Sequence, residues 1–138
     1  MREPQFSAQI TEVINRNLLV SELLKFGFNA YLPVYDRGID LLVLRESDGD
    51  VRRVQLKGRW AIDKKYIGRE VWIAFPEGGT WYLAPHDEMV KMGEEQGYCA
   101  TSSWTTGHAY SCPQLSKKLA ARMAPWCLSS TLTAAIES

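Results

Sequence analysis

Three side chains in GIDLLVLRESDGDVRRVQLKGRW, residues 38–60, are of kinds that do chemistry: Asp40, Gln55 and Lys57. They interrupt two segments that are otherwise largely apolar. Asp offers an anionic oxygen and Gln a neutral carbonyl oxygen. Such donors suit a hard cation such as Mg²⁺, which keeps several waters and takes a backbone carbonyl as a further ligand. Phosphodiester hydrolysis needs such a cation, an activated water and compensation for the charge that grows in the transition state. Lys57 is suited to place the water or to supply that compensation. The alternative for the same residues is a buried Asp40–Lys57 ion pair with Gln55 bonded to it, an arrangement that carries a desolvation cost.

The elements that must position this trio can be read from the flanking sequence. IDLLVLR and VRRVQLK are β-rich and enclose Ser-Asp-Gly-Asp, in which Asp48-Gly49 is a hairpin signal. A turn centred between Asp48 and Gly49 sets Asp40 opposite Lys57 and Leu42 opposite Gln55. Opposed residues share a face, so the three polar residues project together, with Asp40 and Gln55 as diagonal neighbours about 7–8 Å apart. Leu41, Val43, Val54 and Leu56 point the other way.

Before the hairpin, residues 7–26 read as a helix. Ser7 is the candidate cap, and apolar residues recur at Ile10, Val13, Ile14, Val20 and Leu24. Gly27 suits the left-handed position that ends a helix. FNAYLPVY then reads as a strand with Pro33 at an edge or bulge. After the hairpin, EVWIAFP and TWYLAP form a second one around Glu-Gly-Gly. HDEMVKMGEEQ reads as a short helix with Asp87 able to cap it, and a last helix runs over roughly 115–124, before Pro125. The order predicts an α/β or α+β domain with a mixed sheet. Residues 98–114 read as a polar, aromatic loop suited to specificity.

Length and composition narrow the function. The chain has 138 residues, enough for one domain with its own core. Sixteen basic and sixteen acidic side chains cancel, so a nucleic-acid site must come from a local patch. No apolar run approaches a membrane span. The stretch MREPQFSAQITEV lacks a signal-peptide core, and Cys99, Cys112 and Cys127 lie far apart. These features predict free thiols and a cytoplasmic location. Zinc spacings, Walker loops, dinucleotide-binding glycines and G-x-S-x-G are absent, so neither a zinc site nor a nucleotide cofactor is expected.

Arg37, Arg59, Lys64, Lys65 and Arg69 surround the trio in sequence and could meet phosphates. Arg59 is favoured because it follows Lys57 by two residues, whereas Arg52 and Arg53 read as an exposed strand end. Trp72, Trp81, Tyr82 and Trp104 could stack on bases, though strand aromatics more often build a core or an interface. The second hairpin is accordingly a candidate interface. His86 and His108 are candidate general bases without a partner motif.

Gly38-Ile39-Asp40 followed by Gln55-Leu56-Lys57 resembles the PD-(D/E)xK nuclease superfamily. The pattern there is an Asp in the second core strand and (D/E)-x-K in the third. The likeness lies with the Holliday-junction-resolvase-like, small-endonuclease branch, here with a QxK variant. LLVSELLKFGFNAYLP also resembles the helix–strand entry of the resolvases. The resemblance implies a restriction-endonuclease-like core over residues 1–138, with an N-terminal helix before a mixed central sheet flanked by helices. It implies a metal-dependent DNA endonuclease of resolvase, restriction or homing type. Asp40 and Gln55 would hold Mg²⁺ or Mn²⁺, and Lys57 would be the catalytic lysine. DNA would be the substrate, met by Arg37, Arg59, Lys64 and Lys65, and a homodimer or higher homo-oligomer would cut two strands. The chain departs from the pattern twice. Gln55 replaces an acid, and Asn17 falls where a first-helix Glu is expected, with Glu12 and Glu22 toward other sides. Those departures leave an alternative: a catalytically decayed domain that binds DNA or another protein.

Overall fold

The computed structural model describes residues 7–129. The chain opens with helix α1 (Ala8–Lys25), capped by Ser7, whose hydroxyl accepts from the Ile10 N–H. Strands β1 (Phe28–Tyr31), β2 (Leu41–Arg45) and β3 (Val51–Leu56) follow, then a short strand β4 (Trp60–Asp63). Strands β5 (Val71–Glu77) and β6 (Thr80–Pro85) lead into helix α2 (His86–Glu95). One helical turn α3 (Ser102–Thr105), strand β7 (Ala109–Cys112) and helix α4 (Lys117–Met123) complete the order.

Five strands form a mixed sheet in the order β1-β2-β3-β5-β6, with only the central β3–β5 pair parallel. Side chains alternate along β5, and both of its faces are covered. Trp72 and Ala74 pack with Leu19 and Leu23 of α1. Val71, Ile73 and Phe75 pack with Met89 and Met92 of α2 and with Leu119 and Met123 of α4. The fold is therefore α+β, a mixed sheet between helical layers, as the element order predicts. The segment 98–114 is structured: β7 pairs with β4 in a second, two-stranded sheet.

Helix α1 buries a different face from the one its apolar spacing suggests. Leu19 and Leu23 are fully buried, whereas Ile10, Val13, Ile14, Leu18 and Leu24 are exposed. Leu19, Leu23 and the half-buried Phe26 recur at i, i+4 and i+7, and that stripe continues backward through Asn15 to Glu12. Burying each leucine contributes about 1.5–3 kcal/mol.

The first hairpin is also registered differently. Leu41 lies opposite Val54 and Leu42 opposite Arg53, two residues from the expected pairing. Asp48-Gly49 does not supply a two-residue turn. The loop runs from Glu46 to Gly49 and is closed by the Arg45 N–H donating to the Asp50 carbonyl. The buried Arg45 guanidinium forks onto the Asp48 carboxylate and holds its pKa down at about 2. Asp48 also accepts from the Asp50 N–H. The second hairpin does turn on two residues, Gly78 and Gly79, both with positive φ. Such a turn matches strand twist and is costly for other residues.

Three other expectations change. The strand after α1 stops at Tyr31, before Pro33. Asp87 does not cap α2; its carboxylate accepts from the Gly68 N–H at 3.0 Å. The aromatic hairpin, a candidate interface by sequence, is core, since Trp72, Phe75 and Trp81 are at most 8% exposed. Trp104 is likewise buried.

His86 ties the two sheets together. It is fully buried, its Nε2 accepts from the Asp63 N–H at 3.0 Å, and its Nδ1 lies 3.3 Å from Asp87. Burial holds its pKa below 6.5, against the pull of Asp87. The unfolded chain therefore binds a proton on this imidazole before the native state does. Stability is complete above the ordinary histidine value of 6.5 and declines as pH falls below it. His86→Ala leaves the Asp63 N–H unpaired and is expected to cost about 1–3 kcal/mol. Chemical denaturation on either side of the histidine range, at about pH 7.5 and about pH 5.5, should show both the loss and, in wild type alone, the acid-side decline.

Candidate active site

The candidate site lies at the end of β3, where β2 arrives on one side, β5 on the other, and the first turns of α1 approach. The Asp36 carboxylate accepts from the N–H groups of Gly38 and Ile39, at 2.7 and 3.1 Å, and so shapes the turn that delivers Asp40. The Asp40 N–H donates to the Val54 carbonyl. Its carboxylate then accepts from the Leu56 N–H at 2.8 Å. Asp40 thus serves as an acceptor within the β2–β3 ladder, held against the peptide between Gln55 and Leu56. On the far side of β3 the Lys57 N–H donates to the Ala74 carbonyl of β5.

Gln55 and Lys57 share one cavity of about 370 Å³, lined also by Leu56 and by Thr11, Glu12 and Asn15 of α1. Asp40 reaches the same strand end through its bond to Leu56. The Gln55 Oε1 is buried and has no hydrogen-bond partner. A carbonyl oxygen in that condition is costly unless something engages its lone pairs. Lys57 lines two further cavities shared with β4 and β7. Its Nζ rests 5.3 Å from the centre of the Tyr66 ring, a cation–π contact that leaves its protons available. Among the described residues no ion pair joins Asp40 to Lys57, so the buried-pair alternative is corrected.

Asp40 is partly buried, and desolvation pushes its pKa above 3.8. The Leu56 N–H opposes that shift, the charges of Asp36 and Glu12 add to it, and Lys57 opposes it weakly. A carboxyl with two acids nearby and a raised pKa is a group whose electrostatics a cation would relieve.

The candidate first-helix residue nearest the site is Glu12, which the apolar spacing set toward another side, and not Asn17. Asn17 is exposed on another side of α1, its carbonyl accepting from the Ser21 hydroxyl. Glu22 pairs with Lys25 at 2.8 Å. Glu12 is the acid of α1 that lines the cavity with Gln55 and Lys57. The i, i+4, i+7 stripe of Leu19, Leu23 and Phe26 is the signal that would have found it.

The basic residues divide. Arg59 lines a cavity with Lys57 and Ser111. Arg37 and Lys65 line a different one, with Arg53 and Arg69. Lys64 lines neither of these; its Nζ lies 5.5 Å from the Trp104 ring. His108 contributes its carbonyl to the Lys64 N–H, and His86 is sealed in the core behind the Tyr66 ring, the ring centroids 5.5 Å apart.

Among the described residues, no three His, Cys, Asp or Glu side chains cluster as a metal site. Any cation at this site must draw on a mixed set of oxygens. Asp40 and the unpartnered carbonyl of Gln55 fit a hard cation that keeps part of its water shell. Among the described residues, no helix is long and apolar enough to cross a membrane.

No family model and no curated protein matches the chain significantly. Its fold does match a solved structure, that of a bacterial homing endonuclease, I-Ssp6803I. The TM-score is 0.57 and the sequence identity 15%, and the match covers 96% of this chain and 94% of that one. At that identity the likeness is one of fold alone.

Proposed function

We propose that the chain is a metal-dependent DNA endonuclease built on a PD-(D/E)xK-type core. The observation that carries this reading is the arrangement at the end of β3. The Asp40 carboxylate is fixed by the Leu56 N–H, the Gln55 Oε1 is buried without a partner, and Lys57 lines the same cavity as Gln55. A fold shared with a bacterial homing endonuclease supports it.

Asp40 and Gln55 would hold Mg²⁺ or Mn²⁺, with Glu12 adding negative charge from α1. Such a cation, when bound, acidifies a water and draws charge from the phosphoryl oxygens. Lys57 orients the attacking water or stabilises charge on the phosphate, free to do either because its ammonium is not tied to Asp40. Arg59 meets the DNA backbone beside it. Cutting both strands calls for two copies, since one centre cuts one strand. The exposed apolar stripe of α1, Ile10, Val13, Ile14 and Leu18, is a better contact surface for a homodimer than the buried aromatic hairpin.

The test is incubation with supercoiled, linear and four-way-junction DNA, with Mn²⁺ or with EDTA, beside Lys57→Ala. Cleavage that needs metal and falls about a hundredfold or more in the variant is expected. DNA binding without cleavage on every substrate would overturn the enzyme and favour the decayed, DNA-binding domain.

A further inference from the structure

Beyond the trio, a second cavity of about 280 Å³ opens beside Tyr66. Arg37, Arg53, Lys65 and Arg69 line it, and among the described residues no acid does. Four cations around one cavity repel one another unless an anion enters.

The nearby acids fill that role only in part. Asp36 is engaged by the Gly38 and Ile39 N–H groups. Glu70 pairs with Arg53 at 3.7 Å and Asp63 with Lys65 at 3.8 Å, ion pairs longer than a hydrogen bond that leave Arg37 and Arg69 uncompensated. Arg53 has a positioning role, because it donates to the Arg69 carbonyl and so fixes the loop that presents Arg69. Next to it Glu70 holds φ at +56°, a left-handed conformation uncommon for a glutamate. Arg37, Lys65 and Arg69 are exposed, and the two arginine side chains keep their donors for a ligand.

The cavity is coupled to the trio through one ring. Tyr66 is buried, with Lys65 Nζ at 5.1 Å from its centre and Lys57 Nζ at 5.3 Å. Arg37 precedes Asp40 by three residues, on the turn that Asp36 shapes. Lys65 and Lys57 thus flank one buried ring, and the cavity lies beside the trio.

We infer that the Arg37–Arg53–Lys65–Arg69 cavity receives a DNA backbone phosphate adjacent to the one that meets Lys57. The inference rests on the nuclease reading and adds the subsite that sets the register of the strand. Arginine suits it, since its planar fork pairs with two phosphate oxygens.

The test uses anisotropy of a fluorescein-labelled duplex of about 30 base pairs in EDTA, from about 50 to 200 mM salt. Wild type is compared with Arg37→Gln/Arg69→Gln, and with Lys117→Gln/Lys118→Gln on α4, which removes the same charge elsewhere. All four side chains are exposed, so folding should survive. Loss of one phosphate contact is expected to lower the slope of log K against log salt by about 0.9 and to weaken binding about tenfold or more. The α4 variant should show neither change. An arginine variant that binds like wild type, or no more weakly than the α4 variant, overturns the subsite. Cleavage by wild type, lost in Asp40→Asn, with that same result would leave the nuclease reading standing alone. A lowered slope without cleavage under any metal would do the reverse. A wild type that binds no duplex overturns the subsite, and one that also cuts none of the three DNA substrates with Mn²⁺ overturns both.

Discussion

Asp40→Asn should abolish metal-dependent cleavage and leave the fold as stable as wild type or more so. The amide keeps an oxygen for the Leu56 N–H, so the ladder contact at 2.8 Å survives. What it loses is the charge. Activity should fall by about three orders of magnitude, the several kcal/mol that a bound cation contributes. Stability moves the other way because the Asp40 pKa lies above 3.8 in the fold. A carboxyl with a raised pKa stabilises the native state fully only below its unfolded pKa, and that contribution is lost as pH rises through the folded value. At neutral pH its ionised form is a net cost, set by desolvation and by Asp36 and Glu12. The variant should therefore melt at or above the wild-type temperature at neutral pH, and the gap should close as pH approaches 3.8. A structural ion pair to Lys57 would instead give a loss of about 3–5 kcal/mol. A melting temperature several degrees lower would refute a metal-binding carboxylate and restore a structural one.

Gln55→Glu should have the second large effect, with opposite signs in the presence and absence of metal. The Gln55 Oε1 is buried and unpartnered. A carboxylate there would face Asp40, already raised by burial and by two neighbouring acids. Without metal the variant should be less stable at neutral pH, because like charges in one site disfavour ionisation of both. With Mn²⁺ it should bind the ion about tenfold more tightly or better, since it offers a second anionic oxygen. It should also gain more in melting temperature than wild type does, through linkage of binding to folding. Calorimetric titration with Mn²⁺ and melting curves at matched metal would read both. An unchanged Mn²⁺ affinity would remove Gln55 from the ligand set.

The sequence made the trio visible because a polar residue in an apolar strand is conspicuous. Asp40, Gln55 and Lys57 needed only period-two alternation to be grouped, and a register error of two residues preserves parity. That is why Gln55 and Lys57 still line one cavity although the turn differs. The turn itself was misread because the Arg45–Asp48 fork is a tertiary choice, dependent on where a buried guanidinium finds its partner. The face of α1 was misread for a related reason. With apolar residues on nearly every side of Leu18–Leu24, spacing alone could not say which side meets the sheet. Leu19 and Leu23 are the answer, and that choice carries Glu12 to the cavity in place of Asn17. The β4–β7 pair was illegible because its strands are short, Trp60–Asp63 and Ala109–Cys112, and lie far apart in the chain. The basic cavity was half visible: Arg37, Lys65 and Arg69 stood out by charge, whereas Arg53 looked like a strand end.

The hydrogen bond from Leu56 to the Asp40 carboxylate has a consequence for how the protein reaches its native state. A hairpin whose turn contains Glu46-Ser47-Asp48-Gly49 has more than one way to close, and slippage by two residues would keep the same faces toward the core. Hydrophobic burial discriminates poorly between such pairings. A slipped pairing would draw the Asp40 carboxylate away from the Leu56 N–H and leave that amide to find another acceptor. The proposed metal ligand thus also acts as a gauge of strand alignment, one that accepts a single pairing. Assembly of the site and selection of the correct hairpin would be a single folding event.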